Sequence, residues 1–273
     1  MKPTHSMFIR AAILLLALAA LLLSPAVQAQ ASIGVLMLHG KNPGGPQDPN
    51  FGVLKTRLER EHMTVLMPDM PWSRNRYIDV HWDQAMAEMA QHVKTLRERG
   101  ARKIVLIGHS MGCPAALSFA ARQGDVQALV LLAPGHVPQG YFTSSRLKPV
   151  RDSIEEARAL VAANKGDTKE RFNDINQGRQ QTVIMTARDY LSYFDPASDA
   201  EMSLTAPRVP PQTPSLVVIG DQDPLFASAR AYFVDKLPVN PKSAYLEVKA
   251  THLSTPGVAS DAVVDWIRKA VAE

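Results

Sequence analysis

The chain has 273 residues, 46% of them hydrophobic and 21% charged, with a formal net charge of +4 and a single cysteine. That length holds one substantial domain with a sizeable core. One cysteine excludes an internal disulfide framework, and no stretch concentrates Lys and Arg with interleaved aromatics, which argues against nucleic-acid binding.

Lys2, His5 and Arg10 precede an unbroken apolar run over residues 11–23, followed by Ser24-Pro25 and the small-residue site Val27-Gln28-Ala29. This is the layout of a secretory signal peptide over residues 1–29. The run is 13 residues long, short of the roughly 20 that span a bilayer as a helix, so no stable membrane anchor is expected after cleavage. Cleavage after Ala29 is the first choice and after Ala31 the competitor. No cysteine lies near the site to accept a lipid. The expectation is export, to a periplasm first and to the medium as the alternative. Lys2 and Arg10 fall in the leader, which holds no acid, so residues 30–273 carry 28 basic and 26 acidic side chains, a net charge of +2.

In chain order, residues 33–38 (IGVLML) form a continuous apolar run ending at His39-Gly40, as suits a strand covered on both faces. Residues 51–61 have near-helical apolar spacing, 64–67 read as the next strand, and Pro68-Asp69-Met70-Pro71 stops it. From 82 to 99, Met86, Met89, Val93 and Leu96 give one apolar helical face, closed by Gly100. Residues 103–107 are a third strand, 111–123 a helix, and 128–132 a fourth strand closed by Ala133-Pro134-Gly135. The alternation then breaks for about seventy residues. Ser153-Ile154-Glu155-Glu156 and Asp167-Thr168-Lys169-Glu170 resemble capping boxes, so this stretch is expected to be helical through Tyr190. After a proline-rich segment, alternation resumes with strand 216–219, helix 226–236, strand 245–248 and helix 259–271. Continuous apolar strands alternating with helices predict a mostly parallel α/β sheet with helices on both faces. Six core strands are expected, with a helical cap insertion at about 136–210, placed where open α/β sheets bind ligands.

Gly108-His109-Ser110-Met111-Gly112 sits where the third strand meets its helix. A serine between two near glycines at such a junction reads as a nucleophile elbow, whose hydroxyl stands clear at the strand's end. A helix N-cap serine is the local alternative. Strand-His39-Gly40, the elbow, strand-Gly220-Asp221-Gln222-Asp223 and the late Thr251-His252 follow in one order. Together they resemble the α/β-hydrolase superfamily, lipase and esterase branch, over essentially the whole chain after the leader. The sheet begins at what is the third strand of larger members, so this is a trimmed version.

The resemblance makes Ser110 the nucleophile and sets the order serine, acid, histidine. It favours Asp223 as the acid over Asp221, which is a turn or capping residue on local grounds. Of eight histidines, His252 alone follows the final strand and precedes the last helix. There one ring nitrogen can face Ser110 while the carboxylate holds the other. His39 and His109 belong to motifs the family uses for loop geometry and packing. The resemblance assigns the oxyanion hole to the Met111 and Lys41 N–H groups, with Asn42 competing. A lysine there is unusual, and its side chain places a cation at the pocket mouth or points into solvent. Weaker substrate-contact candidates are His136, Arg74, Arg76 and Tyr190. The arginines suit a substrate carboxylate or phosphate but read by default as an exposed loop, and Tyr190, with Tyr193 and Phe194, reads first as cap packing. Cys113 is expected to be a buried structural thiol.

The expected function is a serine hydrolase cleaving an ester-like acyl bond of a small molecule through an acyl-enzyme, with no metal or organic cofactor. The fold equally hosts thioesterases, peptidases, acyltransferases, carbon–carbon hydrolases and haloperoxidases, and a non-catalytic binding protein is the alternative of a different class. Oligomeric state has no signature in the chain.

Overall fold

The computed structural model describes residues 32–41 and 44–272. The expected leader, its cleavage site and Asn42 lie outside the described residues. In chain order the main elements are β1 (Ile33–Leu38), α1 (Pro49–Arg60), β2 (Thr64–Leu66), α2 (Trp82–Glu98), β3 (Lys103–Ser110), α3 (Gly112–Gln123) and β4 (Ala128–Pro134). There follow α4 (Lys148–Ala162), β5 (Lys169–Asn176), β6 (Arg179–Thr186), α5 (Ala187–Phe194), β7 (Ser215–Gly220), β8 (Ala244–Val248) and α6 (Ser260–Ala270). Six strands form one sheet in the order β2-β1-β3-β4-β7-β8, every pairing parallel.

Each central strand is an apolar run because both its faces are covered. Val35, Met37, Val105, Ile107, Val130, Leu132 and Val218 point to one side, against Phe51, Leu54 and Leu58 of α1 and Val263 and Ile267 of α6. The alternate residues, Leu36, Leu38, Leu106, Leu129 and Val217, point to the other side, against α2 and α3. This is the two-residue period of a strand read out as two cores. It leaves the carboxyl ends of β1, β3, β4 and β7 side by side at one edge of the molecule.

The segment between β4 and β7 departs from the expectation of a purely helical cap. It contains α4 and α5, but between them β5 and β6 form an antiparallel hairpin. The turn residues Gln177 (φ 49°) and Gly178 (φ 75°) both take positive φ, the geometry of a type I′ hairpin turn. Phe172 and Asp174 of β5, and Val183 and Met185 of β6, are buried in alternation. That period-two pattern outweighs the capping-box reading at Asp167–Glu170. The other capping-box expectation is also corrected. α4 starts a turn earlier, at Lys148 with Pro149 in its first turn, and Ser153 is buried within it. The Ser153 hydroxyl accepts from the Asn173 backbone N–H at 3.0 Å and its side-chain amide at 3.1 Å. The helix expected over 226–236 is broken into two short helical turns, because Phe233 adopts φ −146° and is fully buried.

The cap's interior is aromatic. Tyr190 stacks between Phe172 (4.5 Å between ring centroids) and Phe194 (4.4 Å). The cap is seated on the sheet domain by Tyr193, packed edge-on against Trp82 at 5.0 Å, and by Arg122 of α3, which pairs with Asp199.

Candidate active site

Gly108 and Gly112 allow strand, turn and helix to pack at the elbow. A Cβ on Gly108 would lie 2.3 Å from the Gly112 carbonyl oxygen, and one on Gly112 would lie 2.0 Å from the Leu38 carbonyl oxygen. Both contacts are with backbone and cannot give way. Between them Ser110 takes φ 52°, a left-handed conformation costly for a serine and typical of functional turns. The register of β3 against β4 shifts at the same point, between His109 and Ser110. Met111 follows, fully buried, immediately before α3. Its N–H lies among the first amides of a helix, which have no intrahelical acceptor.

Asp223 and His252 come together from the loops after β7 and β8. The His252 Nδ1–H donates to Asp223 Oδ2 at 2.7 Å. Asp223 is buried, and its Oδ1 accepts from the Leu225 N–H at 2.8 Å, which fixes the carboxylate. With Nδ1 protonated and held, the neutral imidazole carries its lone pair on Nε2. Asp221 instead accepts from the Ala250 N–H at 3.1 Å and is solvent-exposed, a turn residue joining the two loops.

Gly135, just past β4, connects this pair to Ser110. A Cβ built on Gly135 would stand 2.7 Å from Ser110 Oγ and 3.3 Å from His252 Cε1. The hydroxyl and the ring therefore face the same small space. From the opposite side, a Cβ on Gly40 would approach Ser110 Oγ to 3.7 Å, so the loop after β1 also borders the serine.

Two further histidines support the site without facing a substrate. The His39 backbone carbonyl accepts from Trp72 Nε1–H at 2.7 Å. Its Nε2 accepts from the Met70 N–H at 3.1 Å, so Nδ1 carries the proton and donates to the Gly40 carbonyl at 2.8 Å. Burial holds its pKa below the usual value. His109 donates from Nε2 to the His252 carbonyl at 3.0 Å, tying the elbow to the histidine loop, and its Nδ1 has no hydrogen-bond partner. Burial first, and the neighbouring His252 second, lower its pKa to about 4.

The side chains of the other sequence candidates have partners of their own or face solvent. Lys41 is buried, with 7% of its side chain exposed. Its ammonium donates to both carboxylate oxygens of Asp174, at 2.8 and 2.7 Å. Tyr77 also donates to Asp174, and Gln181 reaches the same oxygen at 3.3 Å. Burial would raise the Asp174 pKa, but the Lys41 charge and these hydrogen bonds bring it below the usual carboxylate range. His136 is wedged between the Tyr193 carbonyl, to which Nε2–H donates at 2.7 Å, and the Tyr141 hydroxyl at 3.4 Å. Burial, then the Lys41 charge, lower its pKa to about 4. Arg76 is engaged by Glu88 at 2.7 and 2.9 Å and by Asp79 at 2.8 Å, so it is a structural clamp. Arg74 is exposed. The Tyr190 hydroxyl donates to the Asn173 carbonyl at 2.6 Å inside the cap. Cys113 is fully buried, its thiol raised well above the usual value by burial. Among the described residues no three His, Cys, Asp or Glu side chains converge to hold a metal ion, and no helix is long and apolar enough to cross a membrane.

Asp174, Tyr77 and Gln181 were not visible as site residues in the sequence. The available signal was a polar residue at an inward position of a strand, Phe172-x-Asp174, which marks a buried polar group that must be paired.

A parallel six-stranded sheet with a glycine-flanked serine at the turn from β3 to α3 defines the hydrolase class of α/β proteins. The model of the alpha/beta hydrolase family matches residues 35–266, and the chain belongs to that family. A search of curated proteins found no match. Among solved structures, Est1E from Butyrivibrio proteoclasticus with ferulic acid bound superposes with a TM-score of 0.62 at 15% identity. The alignment covers 91% of this chain and 93% of that one. The monoacylglycerol lipase of Paleococcus ferrophilus gives 0.61 at 19% identity, covering 87% and 94%. The "putative hydrolase" of Agrobacterium vitis S4 gives 0.56 at 18%, covering 89% and 90%. At these identities the likeness is one of fold.

Proposed function

We propose that this chain is a serine hydrolase acting on an ester-like acyl bond of a small molecule. The observation that carries the reading is that Ser110 Oγ and the Asp223-bound His252 ring border the same space, 2.7 Å and 3.3 Å from where a Cβ on Gly135 would stand. In this reading His252 Nε2 takes the Ser110 proton as Oγ attacks the acyl carbon. Asp223 keeps the ring in the reactive tautomer and stabilises the imidazolium. The oxyanion gathers at the Met111 and Lys41 N–H groups, where preorganised donors contribute most. Collapse of the tetrahedral species expels the alcohol, which leaves with the proton from His252. Water, deprotonated by the same imidazole, then attacks the acyl-enzyme and releases the acid and free Ser110. Esterase and lipase neighbours of the same fold support an ester substrate.

Export to a periplasm belongs to the same proposal and is supported by the basic, apolar and small-residue order of residues 1–29. The deciding experiment is fluorophosphonate labelling of purified protein beside Ser110→Ala and His252→Ala variants. Labelling of the wild type alone supports the reading. No labelling of the folded wild type turns it toward a non-catalytic binding protein. N-terminal sequencing of protein from a periplasmic extract tests export, the expected start being residue 30.

A further inference from the structure

The Lys41–Asp174 pair has features that packing alone does not require. The Lys41 side chain is 7% exposed and that of Asp174 is fully buried. A pair so placed contributes little net stability, since apolar residues of similar size would fill the space as well, and a specific geometry is a better reason for it. It joins two separate parts of the molecule. Lys41 directly follows Gly40, which borders Ser110. Asp174 and Gln181 come from opposite strands of the cap hairpin. Tyr77, from the loop after β2, completes the cluster from a backbone conformation with φ 37°, followed by Ile78 at φ 60°. Non-glycine residues hold such dihedrals only when their surroundings over-determine them.

The rest of the loop after β1 is tied to the sheet domain. His39 Nδ1–H donates to the Gly40 carbonyl, Trp72 to the His39 carbonyl, Gly44 N–H to the Lys41 carbonyl at 3.2 Å and Arg74 N–H to the Gly44 carbonyl at 2.9 Å. Those bonds hold the loop at His39, at the Gly40 and Lys41 carbonyls and at Gly44, so the peptide that carries the Lys41 N–H is held on its carbonyl side by His39. The peptide between Gly40 and Lys41 is further restrained from the cap, through the Lys41 side chain. We infer that Asp174 is a positioning residue, which anchors Lys41 from the cap and so fixes the Lys41 N–H beside Ser110, making a seated cap a condition of a complete oxyanion hole. The inference rests on the hydrolase reading above for its catalytic consequence, and on the structure alone for the mechanical coupling.

The test is Asp174→Asn in the full chain, which keeps the shape and removes the charge. With p-nitrophenyl acetate, kcat falls about tenfold to a hundredfold while KM stays within about twofold, because a displaced oxyanion donor weakens the transition state and not the ground state. The pH midpoint of kcat/KM is unchanged, since the His252–Asp223 bond is untouched. Amide hydrogen exchange over residues 38–41 accelerates. Asp174→Glu, which returns a carboxylate, recovers part of kcat. Should Asp174→Asn fail to fold, Tyr77→Phe removes one donor from the same carboxylate, and a kcat loss of about threefold with the same exchange signature is expected. Either variant with kcat within twofold of wild type and unchanged exchange overturns the inference. So does a loss confined to KM. If the wild type neither hydrolyses esters nor takes the fluorophosphonate, the hydrolase reading falls separately. Exchange over residues 38–41 in the variant then decides the coupling without it.

Discussion

Gly135→Ala is the sharpest probe of the proposed site, because the added methyl group has a known address. Its Cβ would stand 2.7 Å from Ser110 Oγ, 3.3 Å from His252 Cε1 and 3.4 Å from Ser110 Cα. Ordinary contact begins at about 3.4 Å, so Oγ must retreat by about 0.7 Å while the other two contacts are barely tight. Gly135 does not have positive φ, so alanine brings no backbone strain of that kind, and the hydroxyl yields by a rotation of χ1. Stability should therefore stay close to wild type, with Tm lower by no more than a few degrees. Catalysis should not survive as well. Misplacing a reacting atom by about 1 Å costs on the order of a hundredfold, so about 0.7 Å predicts a loss of ten- to a hundredfold, or roughly 1.4–2.7 kcal/mol of barrier. The assay is the second-order rate of fluorophosphonate labelling together with p-nitrophenyl acetate hydrolysis, with Tm from circular dichroism on the same samples. A variant that folds and labels at the wild-type rate refutes the reasoning, since the space beside Gly135 would then not be where Ser110 reacts.

Asp223→Asn leaves the shape of the pair but no longer favours the tautomer with Nδ1 protonated, and kcat should fall by about 10⁴-fold. A loss below tenfold in steady-state ester hydrolysis would remove Asp223 from the mechanism. Acid stability should follow His136 and His109 together, since each pKa falls from 6.5 to about 4 on folding, His136 through burial and then the Lys41 charge, His109 through burial and then His252. A folded-state value below the unfolded one means the unfolded chain binds the proton more readily. Each contribution is thus fully present above about pH 6.5 and is lost as pH falls toward 4, reaching roughly 3 kcal/mol at the bottom of that window. Urea midpoints at pH 7 and pH 4.5 measure the slope, and His136→Gln should remove the His136 share and leave that of His109. An unchanged slope would show that the His136 ring contributes nothing to it.

The sheet and the order of its motifs were readable in the chain because they rest on local signals. An apolar run of five or six residues, bounded by turn residues and alternating with helical patterns, suits a buried parallel strand. Two glycines around Ser110 answer backbone contacts that any such elbow makes. β1 keeps the bounds expected of it, and the other five core strands lie within a few residues of theirs. The cap was less legible for a physical reason. Its hairpin signals are weak, a lone Gln177-Gly178 turn and inward positions filled by Phe172, Asp174, Val183 and Met185. A charged residue in that inward row hides the alternation, and Asp167–Glu170 offers a helix start that the tertiary structure overrides.

Lys41 shows where local reading stops and why. Seen in sequence, a lysine in a glycine-containing loop places its cation at the pocket mouth or in solvent, since burying an unpaired ammonium is prohibitive. Its partner is 133 residues away, in a strand the sequence did not disclose. The buried Lys41 also adds to the low pKa of His136, which burial lowers first and the Lys41 charge second. Arg76 misleads in the opposite sense. Its position after a strand end suits a substrate anion, yet Glu88 lies one helix further on in α2 and holds it in a two-pronged pair. A cation near a site binds an anionic ligand only if the fold has not already supplied its counter-ion. For Lys41 and Arg76 the fold has done so, which leaves the ester reading without a free cation to recognise an anionic substrate group at either position.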